Sequence, residues 1–254
     1  MYPLHFQSYG TGTPLIILHG LFGSSDNWFA TAQTLAHSLK VFTLDARNHG
    51  ASPHCDVMTY QLMARDVVEF MQRHGLESAV ILGHSMGGKT AMVMADDYPD
   101  YVQKLVVVDI APRAYPPRHL EMLSAMEKLE LQTYTNRREL DQALKSAIPN
   151  PAIRQFLLKN VKRDAAGEFF WQLNLSALRD NYDNLNATTL PGSPITIPTC
   201  FIRGGKSDYI LPEDEEHIHS HFTSATIETI SNATHWVHAD APEAFVQLVR
   251  GFIG

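Results

Sequence analysis

Residues 79–98 read AVILGHSMGGKTAMVMADDY, and the fold turns on how Gly-His-Ser-Met-Gly-Gly is read between an apolar tetrapeptide and a helix-like run. Gly83-His84-Ser85-Met86-Gly87 satisfies G-x-S-x-G. The bare pattern arises by chance in about one chain of this length in ten, given ordinary Gly and Ser usage, so context decides. A buried strand ends just before it and a helix opens at its second glycine, which is the strand–turn–helix setting that exposes a reactive serine. Such a turn is sharp, so positions 83 and 87 must be small. The helix start behind it offers free N–H groups to an oxyanion. Gly83 to Thr90 also fits G-x-x-x-x-G-K-[ST], a phosphate loop. Asp45 or Asp109 would then have to serve magnesium. The rest of the chain instead offers a full serine-hydrolase set, so the nucleotide reading is the lesser one.

Working outward, short apolar runs alternate with amphipathic stretches. PLIILH (14–19), VFTLD (41–45), AVIL (79–82) and KLVVVDI (104–110) read as strands, as do IPTCFIRGG (197–205) and ATIETI (225–230). Helical spacing fills 28–39, 60–75 and 243–253. Strands apolar throughout, separated by helices, indicate a parallel sheet covered on both faces. From Pro112 to about Pro194 the strands are expected to stop, leaving helical patterns only. The expected organisation is a core of residues 1–111 and 196–254 with a helical cap, 112–195, inserted in the same structural unit.

Composition narrows the function classes. A chain of 254 residues with 20 basic and 27 acidic side chains, net charge −7, argues against nucleic acid as a partner. No apolar run approaches a membrane span. The opening MYPLHFQSYG lacks the basic start and apolar core of a signal peptide, so a cytoplasmic location is expected. Cys55 and Cys200 lie far apart and suggest neither disulfide nor zinc site.

A serine nucleophile needs a base, and His235 in NATHWVHAD lies after the last strand and before the last helix. The order Ser…acid…His is the hydrolase order. The loop His19-Gly20-Leu21-Phe22-Gly23 follows an early strand, so the amides of Leu21 and Met86 form the natural oxyanion pair. Two acids compete. Asp109 ends the strand after the elbow, and Asp208 follows the next core strand in RGGKSDYILP; both fall at the carboxyl edge of the sheet. EEHIHSH (215–221) places His217 and His221 on one helix face, yet reads as solvated surface rather than a metal site. Asp45 and Arg47 in DARNHG read as loop braces, Lys89 as capping or packing on the elbow helix, and Phe156, Phe169, Phe170 and Trp171 as apolar core of the cap, with one or two of them free to line a pocket.

Taken together, HGLFGSSDNW, DARNHGAS, GHSMGGKTAM, VDIAP, IRGG and HWVHAD resemble the α/β-hydrolase superfamily over essentially the whole chain. RNHG, SMGGK and VDIAP look like its YbfF-type esterase branch, which includes acyl-thioesterases. The resemblance implies the α/β-hydrolase fold, Ser85 as nucleophile, His235 as base, Asp109 as acid, and Ser207 as a further partner on the histidine side. Asp208 stands where the wider superfamily carries its acid. The expected activity is hydrolysis of carboxylic esters through an acyl-serine, with no cofactor and no metal, on a small acyl ester or thioester. An acyl-CoA thioesterase would use the same residues, and a non-catalytic ligand-binding protein of this fold is the alternative from another class. Residues 113–196 hold 11 basic and 9 acidic side chains, a local positive balance that would attract an anionic substrate such as an acyl-CoA.

Overall fold

The computed structural model describes residues 3–254. Its strands are β1 (Phe6–Tyr9), β2 (Thr13–Leu18), β3 (Leu39–Leu44), β4 (Ala79–His84), β5 (Val102–Val108), β6 (Val161–Arg163), β7 (Phe169–Trp171), β8 (Thr199–Gly204) and β9 (Ala225–Ile230). Seven of them form one sheet in the order β1-β3-β2-β4-β5-β8-β9. β1 runs antiparallel to β3, and the other neighbours in this sheet are parallel.

The alternation of side chains along each strand divides the core between two faces. Ile16, Leu18, Ile81, Leu105 and Val107 belong to one apolar cluster. Leu15, Ile17, Val80, Leu82, Val106 and Val108 belong to the other. The first face is covered by the helices Tyr60–Arg73 and Met86–Asp97 together with the segment between β5 and β8. The second is covered by Phe29–Leu35 and Pro242–Ile253. Burial on both sides explains why these strands are apolar throughout. Local chemistry sets the helix ends. Thr59 Oγ1 accepts a hydrogen bond from Leu62 N–H at 3.2 Å at the start of Tyr60–Arg73, and Gly75 closes it in the left-handed region, φ 65°.

β3 lies on one side of β2 and β4 on the other. The chain therefore reverses its direction of travel across the sheet at β2, and the crevice beyond the carboxyl ends of such strands is where ligands bind. The loop after β2, Ser85 after β4, Asp109 after β5, Ser207 after β8 and His235 after β9 all emerge at that edge.

Two expectations need correction, and one strand carries little signal of its own. β1 reads poorly as a strand because FQSY is short, half-polar and placed at the sheet edge. Residues 112–194 are not free of strands, since β6 and β7 pair antiparallel. The turn between them has Gly167 at φ 87° with its N–H on Asp164 O at 3.0 Å, a hairpin signal carried by Asp-x-x-Gly. The helix after Ser85 begins at Met86, one residue earlier than the glycine spacing suggests.

Candidate active site

Ser85 stands between β4 and the helix Met86–Asp97 with φ 53° and ψ −115°, a conformation that costs a non-glycine residue about 1–3 kcal/mol. Its amide donates to Val108 O at 3.0 Å, and its carbonyl accepts the first helical bond from Lys89 at 3.0 Å. A Cβ at Gly83 would sit 2.1 Å from Gly87 O, and one at Gly87 would sit 2.2 Å from Leu18 O. The turn closes only because both positions lack side chains. A phosphate loop has no room here. Gly83 and His84 are still strand, and one residue separates them from the helix. Lys89 Nζ is buried and donates to the carbonyls of Arg113 (2.8 Å) and Ala187, rather than pointing to a phosphate cradle.

His235 Nδ1 is 2.8 Å from Asp109 Oδ2. A carboxylate can only accept there, so Nδ1 carries a proton, and in the neutral imidazole the lone pair is then on Nε2. Asp109 is fully buried with φ 50°. Its Oδ1 accepts from Gly204 N–H at 2.9 Å, and its Oδ2 also accepts from the Ser207 hydroxyl. Asp208, the competing acid, faces away: it pairs with Arg118 at 2.7 Å, with its side chain 66% exposed. The His235 ring is stacked on Tyr209, with centroids 3.8 Å apart. The His235 carbonyl accepts from His84 Nε2–H at 2.8 Å. Burial, with His235 and His238 nearby, holds His84 well below the usual imidazole range, so it remains neutral.

The loop after β2 is braced from beneath by two more neutral histidines. His19 Nδ1–H donates to Gly20 O at 2.8 Å while Nε2 accepts from Ala46 N–H at 3.0 Å. His49 Nδ1–H donates to Arg47 O at 3.0 Å while Nε2 accepts from Phe22 N–H at 3.2 Å. Burial pushes the His49 pKa down to about 3. Asp45 accepts from the amides of Ser25 (2.6 Å) and Ala51 (2.8 Å), and Arg47 pairs with Asp66 at 2.7 Å, both buried. These side chains hold the loop and do not reach a reacting atom. Ser85, Leu21 and His235 line one cavity of about 240 Å³; Met86 lines a smaller one of about 40 Å³ that also meets Ser85 and Leu21.

Residues 13–242 match the family model described as the alpha/beta hydrolase fold. The chain belongs to the α/β-hydrolase family. This α/β-hydrolase is similar to the sn-1-specific diacylglycerol lipase ABHD11 of Mus musculus, 39% identical over 94% of this chain and 80% of that one. It is also similar to Esterase YbfF of Escherichia coli, 32% identical over 97% and 95% of the two chains. Among solved structures, a marine microorganism esterase superposes with a TM-score of 0.97 at 40% identity, covering 99% of this chain and 100% of that one. The α/β-hydrolase thus stands among hydrolases of the esterase and lipase kind.

Several residues of this α/β-hydrolase's cavity escape sequence reading. Arg118, His119, Met122, Ile153, Phe156 and Leu157 come from the segment after β5 to line the cavity at Ser85, and no local pattern announces where a helical segment folds back. Of the four aromatics read as cap core with room for one or two at a pocket, Phe156 lines the cavity, whereas Phe169 is buried and Phe170 is 40% exposed. His238 is buried and stacked on Trp28 at 4.0 Å. His217 and His221 stack at 6.3 Å along the flank of their helix, as solvated side chains do. No helix among the described residues is long and apolar enough to cross a membrane.

Proposed function

We propose that this protein is a cytoplasmic serine hydrolase that cleaves carboxylic esters through an acyl-serine. The observation that carries the reading is Ser85 at a strained turn, sharing a cavity with a histidine whose Nδ1–H is held by a buried carboxylate. His235 Nε2 takes the proton as Ser85 Oγ attacks the carbonyl, and Asp109 keeps the ring in the useful tautomer and stabilises its cation. The amides of Leu21 and Met86 receive the oxyanion. The alkoxide leaves with the proton from His235, and water, activated by the same imidazole, then frees the acid. Ser207 steadies the Asp109 carboxylate. Residues 112–195 act as a cap that excludes water and shapes the acyl site. Its apolar contributions to the cavity, Met122, Ile153, Phe156 and Leu157, suit an acyl chain, and the esterase and lipase names of the relatives support the same class.

A thioester would pass through the same steps with sulfur as leaving atom. The positive balance of residues 113–196 favours including acyl-CoA among the substrates. The test is turnover of a panel of p-nitrophenyl esters and acyl-CoAs by wild type and Ser85→Ala. Wild type is expected to turn over at least one series, and Ser85→Ala to lose about a million-fold in kcat. Binding without turnover would mark a ligand-binding protein instead, and activity surviving in the variant above a few per cent would remove Ser85 as nucleophile.

A further inference from the structure

Two cavities meet at Ser85, sharing Leu21, Ser85, Arg118, His119 and Tyr209. Their linings contain two basic side chains, Arg118 and Lys89, and no Asp or Glu. Lys89 is occupied by the carbonyls of Arg113 and Ala187. Arg118 is placed differently. Its guanidinium lies 5.1 Å over the Tyr209 ring, which itself stacks on His235, so the cation stands one ring away from the proposed base. Its carboxylate partner, Asp208, lies on the solvent side, 66% exposed and outside both linings.

We infer that Arg118 is a specificity residue that recognises an anionic group, a carboxylate or phosphate, on the ester or thioester bound at Ser85. The inference rests on the proposed hydrolase activity and narrows its substrate class. A guanidinium offers five donors in a planar fork, and the Asp208 contact engages one of its terminal nitrogens. Arg118 lines both cavities, so an anion bound there would be met by the in-plane N–H groups that Asp208 does not engage. Asp208 both holds the fork in position and partly neutralises it. An exposed pair of this kind is weak, so a substrate anion in a less hydrated cavity competes for the cation on good terms.

The test uses two matched pairs of substrates with the full-length protein. One pair places the charge on the acyl side: p-nitrophenyl hexanoate against the mono-p-nitrophenyl ester of adipic acid. The other places it on the leaving group: acetyl-CoA against the acetyl thioester of a neutral pantetheine. The readout is the ratio of kcat/KM, anionic over neutral, in wild type, Arg118→Gln and Asp208→Asn. Arg118→Gln is expected to lower the ratio about ten-fold or more in one pair, chiefly through KM, and the pair that responds tells which side carries the anion. Asp208→Asn is expected to move the same ratio the opposite way, which a merely structural role for Arg118 would not produce. Ratios unmoved by Arg118→Gln in both pairs, or moved the same way by both variants, would overturn the inference while leaving the hydrolase reading intact. Failure of wild type to hydrolyse any of the four would remove that reading, and this one with it.

Discussion

At Asp109 and Asp208, ninety-nine positions apart in sequence, two acids reach the same edge of the sheet and do different things. Asp109 is buried, accepts from Gly204 N–H, the Ser207 hydroxyl and His235 Nδ1–H, and sits in a left-handed conformation. Asp208 is exposed on Arg118, and Arg118 holds its carboxyl below the usual range. Asp109→Asn presents an amide to His235 and favours the wrong tautomer, so kcat is expected to fall by about ten-thousand-fold. Asp208→Asn is expected to cost only a few-fold on a neutral ester. Measuring kcat/KM for both on one p-nitrophenyl ester checks this, and a near-normal Asp109→Asn beside a crippled Asp208→Asn would reverse the assignment. Spacing could not choose between these acids, because both follow core strands. Strain is informative here too: Phe22, Asn48, Ser85 and Asp109 are the non-glycine residues with positive φ among those described, and three of the four border the site. That is where a fold tolerates strain for the sake of position.

Among the elements, the helix after the elbow does more than present Ser85. One turn on, Lys89 ties together the carbonyls of Arg113 and Ala187, near the two ends of the inserted segment. Thr189 N–H meets Pro112 O beside them at 2.7 Å, and Tyr115 N–H meets Asn186 O at 3.0 Å. Burial, with Arg113 nearby, lowers the Lys89 pKa to about 7. Lys89→Met would leave the carbonyls of Arg113 and Ala187 without this donor, and is expected to destabilise the protein by about 0.5–1.5 kcal/mol. Faster hydrogen exchange is expected at the amides of Tyr115 and Thr189, while the β4 and β5 amides keep their protection. Unchanged exchange at those two positions would show that the stems do not depend on the amine. Elsewhere the segment is fastened by scattered contacts, such as Asn160 Nδ2–H on Phe22 O at 2.8 Å and Tyr60 hydroxyl on Leu185 O at 2.6 Å. These join residues more than a hundred positions apart, which is why the helical pattern of the segment was legible and its docking was not.

For the molecule as a whole, buried neutral histidines make acid the weak side. Burial lowers His49 to about 3, and His119 and His238 to about 4, against about 6.5 in the unfolded chain. Between these values the unfolded state binds more protons, so unfolding free energy rises with pH. The stability from these groups is complete above about pH 6.5 and is lost as the pH falls toward 4, by up to about 1.4 kcal/mol per unit for each histidine. Urea melts at pH 7.5, 6 and 5 are expected to show the decline, and His238→Phe to make it shallower; a flat profile would contradict it. At this scale the division between sequence and tertiary structure is physical. Continuous apolar runs and glycine punctuation act over a few residues. They determined by themselves that a parallel sheet, a serine elbow and a histidine after the last strand would form, and where the loop after β2 would fall. Which acid meets His235, why His84 and His238 stay neutral, and which side chains of residues 112–195 face Ser85 depend on contacts between distant segments. Only the packed chain decided those, because burial and hydrogen-bond partners do not exist until the sheet and the inserted segment come together.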